Sequence, residues 1–274
     1  MFAGKVWWIT GASSGIGEAL AKALSARGAN LILSGRNVPA LEAVAAKCPT
    51  ETMILPFEAT DFDAIPALAD KAWSWAEGHG GLDGLVNNAG ISQRSLAVDT
   101  VFDVYRRIVD VDLLAPIALT QALLPRMAKA GHGHIIGISS VAGTAGVPLR
   151  SAYCAAKHGL IGYHDSVRAE TAHLGLKVLV VAPGSVRTNV SRNALDAGAG
   201  VRGVSDAAID NGMDPDDAAA AILEALEQDK RELILATGME LEIPRLRRHD
   251  PEALFDMMAS LVAGGYAQRM DAES

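Results

Sequence analysis

A tyrosine and a lysine one helical turn apart, Tyr153 and Lys157, are the residues whose types and spacing most directly suggest proton chemistry. If both lie on a helix, the four-residue spacing puts them on one face, where the ammonium favours phenolate over phenol and prepares the tyrosine as a general acid or base. Ser140 follows the apolar run HIIGIS, and its hydroxyl would hold a carbonyl oxygen against the tyrosine. An ordinary helix, with a half-buried tyrosine and a lysine that extends to water, also explains the pair.

A glycine-rich turn, TGASSGIG at residues 10–17, follows an apolar strand and precedes a helical pattern. Glycines allow the backbone to approach a pyrophosphate closely. A helix that begins at Gly15 or Ile16 also offers free amides and the positive end of its dipole. The turn therefore predicts a dinucleotide site, and a tight turn without a ligand is the alternative.

The end of the second strand indicates which dinucleotide is preferred. An acidic residue there would bond the ribose hydroxyls and reject a 2′-phosphate, whereas this chain has Ser34, Gly35 and Arg36. A guanidinium at this point can form charge-assisted hydrogen bonds with that phosphate, which favours NADP over NAD. The alternative is a solvated loop arginine.

Strand-like and helical segments alternate along the chain and predict an α/β fold. The expected architecture is a Rossmann-type, doubly wound parallel sheet of about seven strands, with helices on both faces of a single domain. Pro116 and Pro125 should bend or split the long helix at 103–130. We expect strands near residues 5–10, 30–34, 53–56, 82–87, 134–139, 177–182 and 232–235.

The domain organisation follows from this alternation. Residues 1–237 should form the catalytic domain, in which the glycine-containing stretch at 184–212 is a substrate lid. Residues 238–274 should form a tail that packs on or near the substrate pocket and contains a helix near 251–261. We expect the pocket to be lined by residues 92–95, 141–151 and the lid, whose small and apolar side chains suit a mainly apolar substrate.

Composition excludes several other classes of protein. Half of the 274 residues are hydrophobic, and 32 acidic residues outnumber 24 basic ones, which disfavours disorder and nucleic-acid binding. Cys48 and Cys154 lack metal-ligand spacing, so no metal and no disulfide is expected. Because the apolar runs are short, we expect a cytoplasmic protein without a membrane partner.

Four motifs in order along residues 3–237 resemble the short-chain dehydrogenase/reductase family. They are TGASSGIG, NNAG at residues 87–90, Ser140 with Tyr153 and Lys157, and PGSVRT at residues 183–188. Within the family, SGRN, GHIIGISSVAG and VPLRSAYCAAKHGL are most similar to the hydroxysteroid-dehydrogenase-like branch of dehydrogenase/reductase proteins, whose members prefer NADP.

The resemblance implies hydride transfer between NADPH and a ketone, aldehyde or alcohol. Ser140 would hold the carbonyl, Tyr153 would donate the proton, and Lys157 would bond the nicotinamide ribose. A homodimer or homotetramer is implied as well. The cofactor-binding positions expected overall are Gly11, Ser13, Ser14, Gly15, Ile16, Gly17, Arg36, Asn37, Glu58, Asn87, Ala89, Gly90, Tyr153, Lys157, Pro183, Gly184, Val186 and Thr188.

Two positions depart from the family pattern. Glu58 stands where many members have an aspartate against adenine, and Asp112 stands where an asparagine usually supports a proton path to the lysine. The Asp112 carboxylate would oppose the effect of Lys157 on Tyr153, or would only bond local amides. Two other functions stay open: a catalytically silent NADP-binding scaffold or redox sensor, and a lyase or epimerase on the same fold.

Overall fold

A seven-stranded parallel sheet organises the computed structural model, which describes residues 1–272. The strand order is β3-β2-β1-β4-β5-β6-β7, with every neighbouring pair parallel, so the predicted fold class is confirmed. The strands are β1 Val6–Thr10, β2 Asn30–Ser34, β3 Thr52–Ile54, β4 Leu82–Asn87, β5 Gly133–Ile138, β6 Leu176–Pro183 and β7 Glu232–Leu235.

Helices cover both faces of this sheet because its strands are apolar on both sides. Trp7 and Ile9 of β1 pack into one core cluster with helices α1 (Gly15–Ala26) and α8 (Pro215–Glu227). Val6 and Trp8 point into a second cluster with helices α3 (Ile65–Glu77) and α5 (Ala115–Ala130). The helices are α1 Gly15–Ala26, α2 Val38–Ala45, α3 Ile65–Glu77, α4 Phe102–Val109, α5 Ala115–Ala130, α6 Ser151–Thr171, α7 Ala207–Asp210, α8 Pro215–Glu227, α9 Gly238–His249, α10 Pro251–Ala263 and α11 Tyr266–Ala272.

The long helix is interrupted by a π turn rather than split. Residues Asp110–Leu114 form this turn between α4 and α5, and the Ala115 amide donates to the Asp110 carbonyl, five residues back. The wider turn lies just before Pro116, whose ring would otherwise meet the preceding helical turn. The helix is not split at Pro125, since α5 continues to Ala130.

The tail contains more helix than expected. Besides α10 at the predicted place, it forms α9 and α11. Ile243 of α9 and Leu254 of α10 pack against Val141 and Ala145, which follow Ser140 in the chain. The tail therefore lies against the segment that leads from β5 to α6.

Candidate active site

A cavity of about 620 Å³ lies at the carboxyl ends of the central strands. Parallel strands place their following loops at one edge of a sheet, so the turn after β1, the end of β4, the end of β5 and the start of α6 meet there. The predicted site residues that border the cavity are Gly11, Ser13, Ser14, Gly15, Ile16, Arg36, Glu58, Ala89, Gly90, Asp112, Ser140, Tyr153, Lys157, Pro183, Gly184, Val186 and Thr188.

Tyr153 and Lys157 lie on one face of α6, as their spacing predicts. The Lys157 Nζ is 5.5 Å from the centroid of the Tyr153 ring. Lys157 is 4% exposed, so the alternative of a lysine that extends to water is excluded. Ser140 Oγ accepts a hydrogen bond from the Ala142 amide at 3.1 Å and donates to the Pro183 carbonyl at 3.3 Å, which fixes the hydroxyl at the cavity wall.

Asp112 and Lys157 form a buried ion pair beneath the cavity. Asp112 Oδ2 is 3.1 Å from Lys157 Nζ, which also donates to the Ile138 carbonyl at 3.0 Å. The other carboxylate oxygen accepts from the Ile91 amide at 2.8 Å. Burial raises the pKa of Asp112 against the opposing effect of Lys157. Burial alone would lower the pKa of Lys157, but Asp112 and then Tyr153 raise it, so the ammonium is retained.

The glycine turn has the geometry of an anion cradle. Gly11 and Gly15 have φ of +64° and +58°, a region that favours glycine. A Cβ on Gly17 would lie 2.3 Å from the Gly11 carbonyl oxygen, so the helix begins directly against the turn. Ser14, the N-cap of α1, makes no side-chain cap bond. The first-turn amides therefore stay available, and the residues present fit a dinucleotide pyrophosphate.

Arg36 and Glu58 border the cavity near the glycine turn. The Arg36 side chain is 74% exposed and its Nη1 is 3.8 Å from Glu58 Oε2. Glu58 also accepts hydrogen bonds from the amide and hydroxyl of Thr60, at 3.3 and 3.2 Å. A guanidinium this exposed can turn toward a phosphate at the cost of one weak surface pair.

Three predicted cofactor positions do not border the cavity. Asn87 is buried and donates through Nδ2 to Thr120 Oγ1 at 3.0 Å. Asn37 caps α2, where its Oδ1 accepts from the Ala40 amide at 3.1 Å. Gly17 is packed behind the turn. Each of the three residues thus has a structural explanation for its type.

Other cavity residues were missed by the sequence reasoning. Asn88 borders the cavity and donates to the carbonyls of Thr10 and Gly11 at 2.9 and 3.2 Å, which links β4 to the glycine turn. NNAG contains this residue, but the pattern alone did not distinguish it from Asn87. Arg107 of α4 also borders the cavity, and its Nη1 donates to the Ala199 carbonyl at 2.7 Å.

The substrate side of the cavity differs from the expectation. The 184–212 segment supplies wall residues that include Leu195, Val201 and Ile209. Residues 92–95 do not border the cavity, because they are buried and bond to the lid. The 141–151 segment does not border it either, since its first residues pack under the tail.

The sequence and the fold were compared with known protein families, proteins and solved structures. Residues 5–198 match the family model described as short chain dehydrogenase. Dehydrogenase/reductase SDR family member 7B of Danio rerio is 40% identical over 262 residues, which cover 93% of this chain and 85% of that protein. A metagenomic short-chain oxidoreductase in complex with NADP is 32% identical, covers 86% of this chain and 99% of its own, and superposes with a TM-score of 0.67. A short chain dehydrogenase/reductase from Burkholderia phymatum in complex with NAD is 23% identical, with coverages of 92% and 95% and a TM-score of 0.80, and shows the fold alone.

The expectation of a cytoplasmic protein is wrong. It is overturned by the kinship with SDR family member 7B proteins. The helix Phe102–Ala130 contains an 18-residue window with a mean hydropathy of 1.5, so by length and composition alone it could cross a membrane. In the fold described here, Leu119, Leu123 and Met127 of the same helix are buried against the sheet.

Proposed function

The chain belongs to the short-chain dehydrogenase/reductase family and is an oxidoreductase, and we propose that it is an NADP-dependent enzyme that interconverts a carbonyl and a secondary alcohol. The observation that carries the proposal is the convergence of Ser140, Tyr153 and Lys157 on the cavity that also contains the glycine turn. Proton-transfer groups and a pyrophosphate cradle in one cavity are what hydride transfer to a carbonyl requires.

The nucleotide would be held by the turn and the adjacent strand ends. The α1 amides and Ser13 would bind the pyrophosphate, and Ala89 would line the adenosine side. Gly90 lies at the other end, where an added Cβ would be 3.3 Å from Lys157 Nζ. Lys157 would bond the nicotinamide ribose. When bound, NADPH supplies the hydride.

The proton step is performed by residues of this chain. Ser140 would orient the carbonyl oxygen by turning its one hydroxyl proton from the Pro183 carbonyl to the substrate, and the Tyr153 hydroxyl transfers its proton to that oxygen during reduction. In oxidation the phenolate takes the proton back from the alcohol. Lys157, kept charged by Asp112 at 3.1 Å, stabilises the phenolate that forms.

The preference for NADP rests on Arg36, with no acidic residue at the end of β2 to bond the ribose hydroxyls. Glu58 lies 3.8 Å from Arg36 and would have to release it. The NADP complex of the oxidoreductase that is 32% identical is consistent with this preference.

The substrate is proposed to be mainly apolar, because Leu195, Val201 and Ile209 of the lid line the cavity. Asn189 and Asn193 of the same segment line it as well and offer polar contacts. Residues 1–237 would form the catalytic domain, with the tail supporting the pocket through α9. Its Glu240 accepts from the amide and hydroxyl of Ser185 at 2.7 and 2.8 Å, beside the cavity residue Gly184. By family resemblance, we propose a homodimer or homotetramer.

A panel of carbonyls and alcohols, followed by NADPH absorbance with wild type and Tyr153→Phe, tests the proposal. Wild type should show substrate-dependent turnover, and the variant should lose about 10²-fold or more in kcat while its NADPH Kd stays within about twofold. A silent scaffold would bind NADPH without turnover, and a lyase or epimerase would convert substrate without net absorbance change. Near-normal turnover by Tyr153→Phe would refute the assigned mechanism.

A further inference from the structure

A buried charge cluster lies behind the substrate wall of the cavity. Asp206, just before α7, is 1% exposed and accepts a hydrogen bond from Arg94 Nε at 2.6 Å. Arg94 Nη2 is 2.6 Å from the same oxygen, and Arg150 Nη2 is 3.5 Å from it. Arg202 Nη1 contacts the other carboxylate oxygen. One carboxylate thus joins the segment after β4, the residue before α6 and the lid.

These charges are held deep in the protein. The Arg94 side chain is 4% exposed, and burial, with Arg150, lowers its pKa to about 10 although Asp206 opposes this. Burial alone would raise the pKa of Asp206, but Arg94 and its neighbours lower it. A buried ion pair adds little net stability to a fold, because apolar residues of equal volume often give the same free energy of unfolding. A planar guanidinium does fix the geometry of its carboxylate partner.

Backbone hydrogen bonds connect Arg94 to the cavity wall. The Arg94 amide donates to the Leu195 carbonyl at 2.9 Å, and the Leu195 amide donates to the Ser92 carbonyl at 2.8 Å. Leu195 itself borders the cavity. On the other side, Gln93 Oε1 accepts from the Ala152 amide at 2.9 Å, at the start of α6. Residues 92–94 therefore hold the lid wall and the catalytic helix together.

We propose that Arg94 and Asp206 are positioning residues that keep the lid wall in register with Tyr153 and thereby determine how well the carbonyl substrate binds. This inference rests on the proposed function. The glycine turn and Arg36 belong to β1, α1 and the end of β2, none of which carries the cluster. The cofactor positions of the lid, Gly184 to Thr188, lie at its start, whereas Asp206 lies near its end. Nucleotide binding should therefore depend on the pair much less than substrate binding does.

Asp206→Asn tests the inference, because it should change the KM for the carbonyl substrate much more than the Kd for NADPH. It should raise the KM for the carbonyl by about tenfold or more, change kcat much less, and leave the NADPH Kd within about twofold. Asp70→Asn is the matched control: Asp70 of α3 forms an exposed ion pair with Arg126 of α5, outside the cavity lining, and its replacement should behave as wild type. A folded Asp206→Asn with wild-type KM, or with KM and Kd raised equally, would overturn the inference.

Two further measurements keep the test decisive. Arg94→Lys keeps the positive charge but removes the planar guanidinium, so it should also raise the KM for the carbonyl. If Asp206→Asn does not fold, this variant tests the positioning role instead. Hydrogen exchange needs no turnover: the amides of Arg94 and Leu195 should exchange faster in either variant, while those of α1 stay unchanged. If wild type turns over no carbonyl, the proposed function fails, and unchanged exchange at these amides separately refutes the positioning role.

Discussion

Replacing Arg36 with alanine should weaken NADPH binding and leave NADH binding nearly unchanged. The Arg36 side chain is 74% exposed, and its nearest charged partner is Glu58 at 3.8 Å. Such a guanidinium contributes little to the fold, so the substitution should leave the thermal unfolding midpoint unchanged. Its effect should therefore appear in nucleotide binding alone.

The magnitude follows from two opposing contributions. A hydrogen bond from a charged donor to a phosphate is worth about 1.5–3 kcal/mol. Arg36 must give up its exposed pair with Glu58, which costs about 0–1 kcal/mol. The net loss in Arg36→Ala is therefore about 0.5–3 kcal/mol, which raises the KM for NADPH by roughly 2- to 150-fold.

The assay measures KM for NADPH and NADH with one carbonyl substrate held constant. Arg27→Ala is the control, because Arg27 pairs with Glu227 at 2.9 Å on the surface at the end of α1, outside the cavity lining. The control should change neither KM. Equal increases for both nucleotides in Arg36→Ala, or no increase for NADPH, would refute the assignment of Arg36 to the 2′-phosphate.

Three further predictions concern the turn, the ion pair and a buried histidine. Gly17→Ala should weaken the binding of both nucleotides, because the added Cβ would lie 2.3 Å from a backbone oxygen of the turn. Gly162→Ala has open space around its added Cβ and should not change binding. Isothermal titration of each variant with NADPH and NADH compares the two. Asp112→Asn removes the group that raises the pKa of Lys157, so the alkaline limb of the pH–rate profile should move to lower pH; an unchanged profile would mean that the carboxylate is electrostatically silent. Burial lowers the pKa of His164 to about 4, below its ordinary 6.5, so the folded state binds fewer protons and stability should fall by up to about 3 kcal/mol as pH drops from 6.5 to 4. Urea unfolding between pH 6.5 and 4 measures this fall in stability, which should be smaller in His164→Leu. An NMR titration that finds the pKa of His164 near its ordinary value would contradict the prediction.

The sheet could be predicted because its signals are local and redundant. Short apolar runs separated by helical patterns specify parallel strands wherever both faces are buried, as for Trp7 and Trp8 on opposite sides of β1. The relation of Tyr153 to Lys157 was equally accessible, since a spacing of four residues fixes the shared face of any helix.

The tail and the cavity wall could not be predicted in the same way. Helix α9 contains Pro244 in its interior, and a proline inside a helical pattern predicts a break rather than a continuous helix. The lid is shaped by bonds to distant residues, such as Arg94 to Asp206. Choosing between Asn87 and Asn88 required knowing where β4 ends, because successive residues of a strand point to opposite faces.

The balance of charge at Lys157 is the least predictable feature of the site. The sequence indicates that Asp112 opposes the lysine, but the strength of that opposition varies with the inverse of distance and with burial, neither of which a motif specifies. The π turn brings the carboxylate to 3.1 Å from the ammonium, which donates a hydrogen bond to the Ile138 carbonyl at 3.0 Å. Asp112 therefore keeps Lys157 charged while it opposes the effect of that charge at Tyr153, so proton transfer depends on the balance of the two opposite charges.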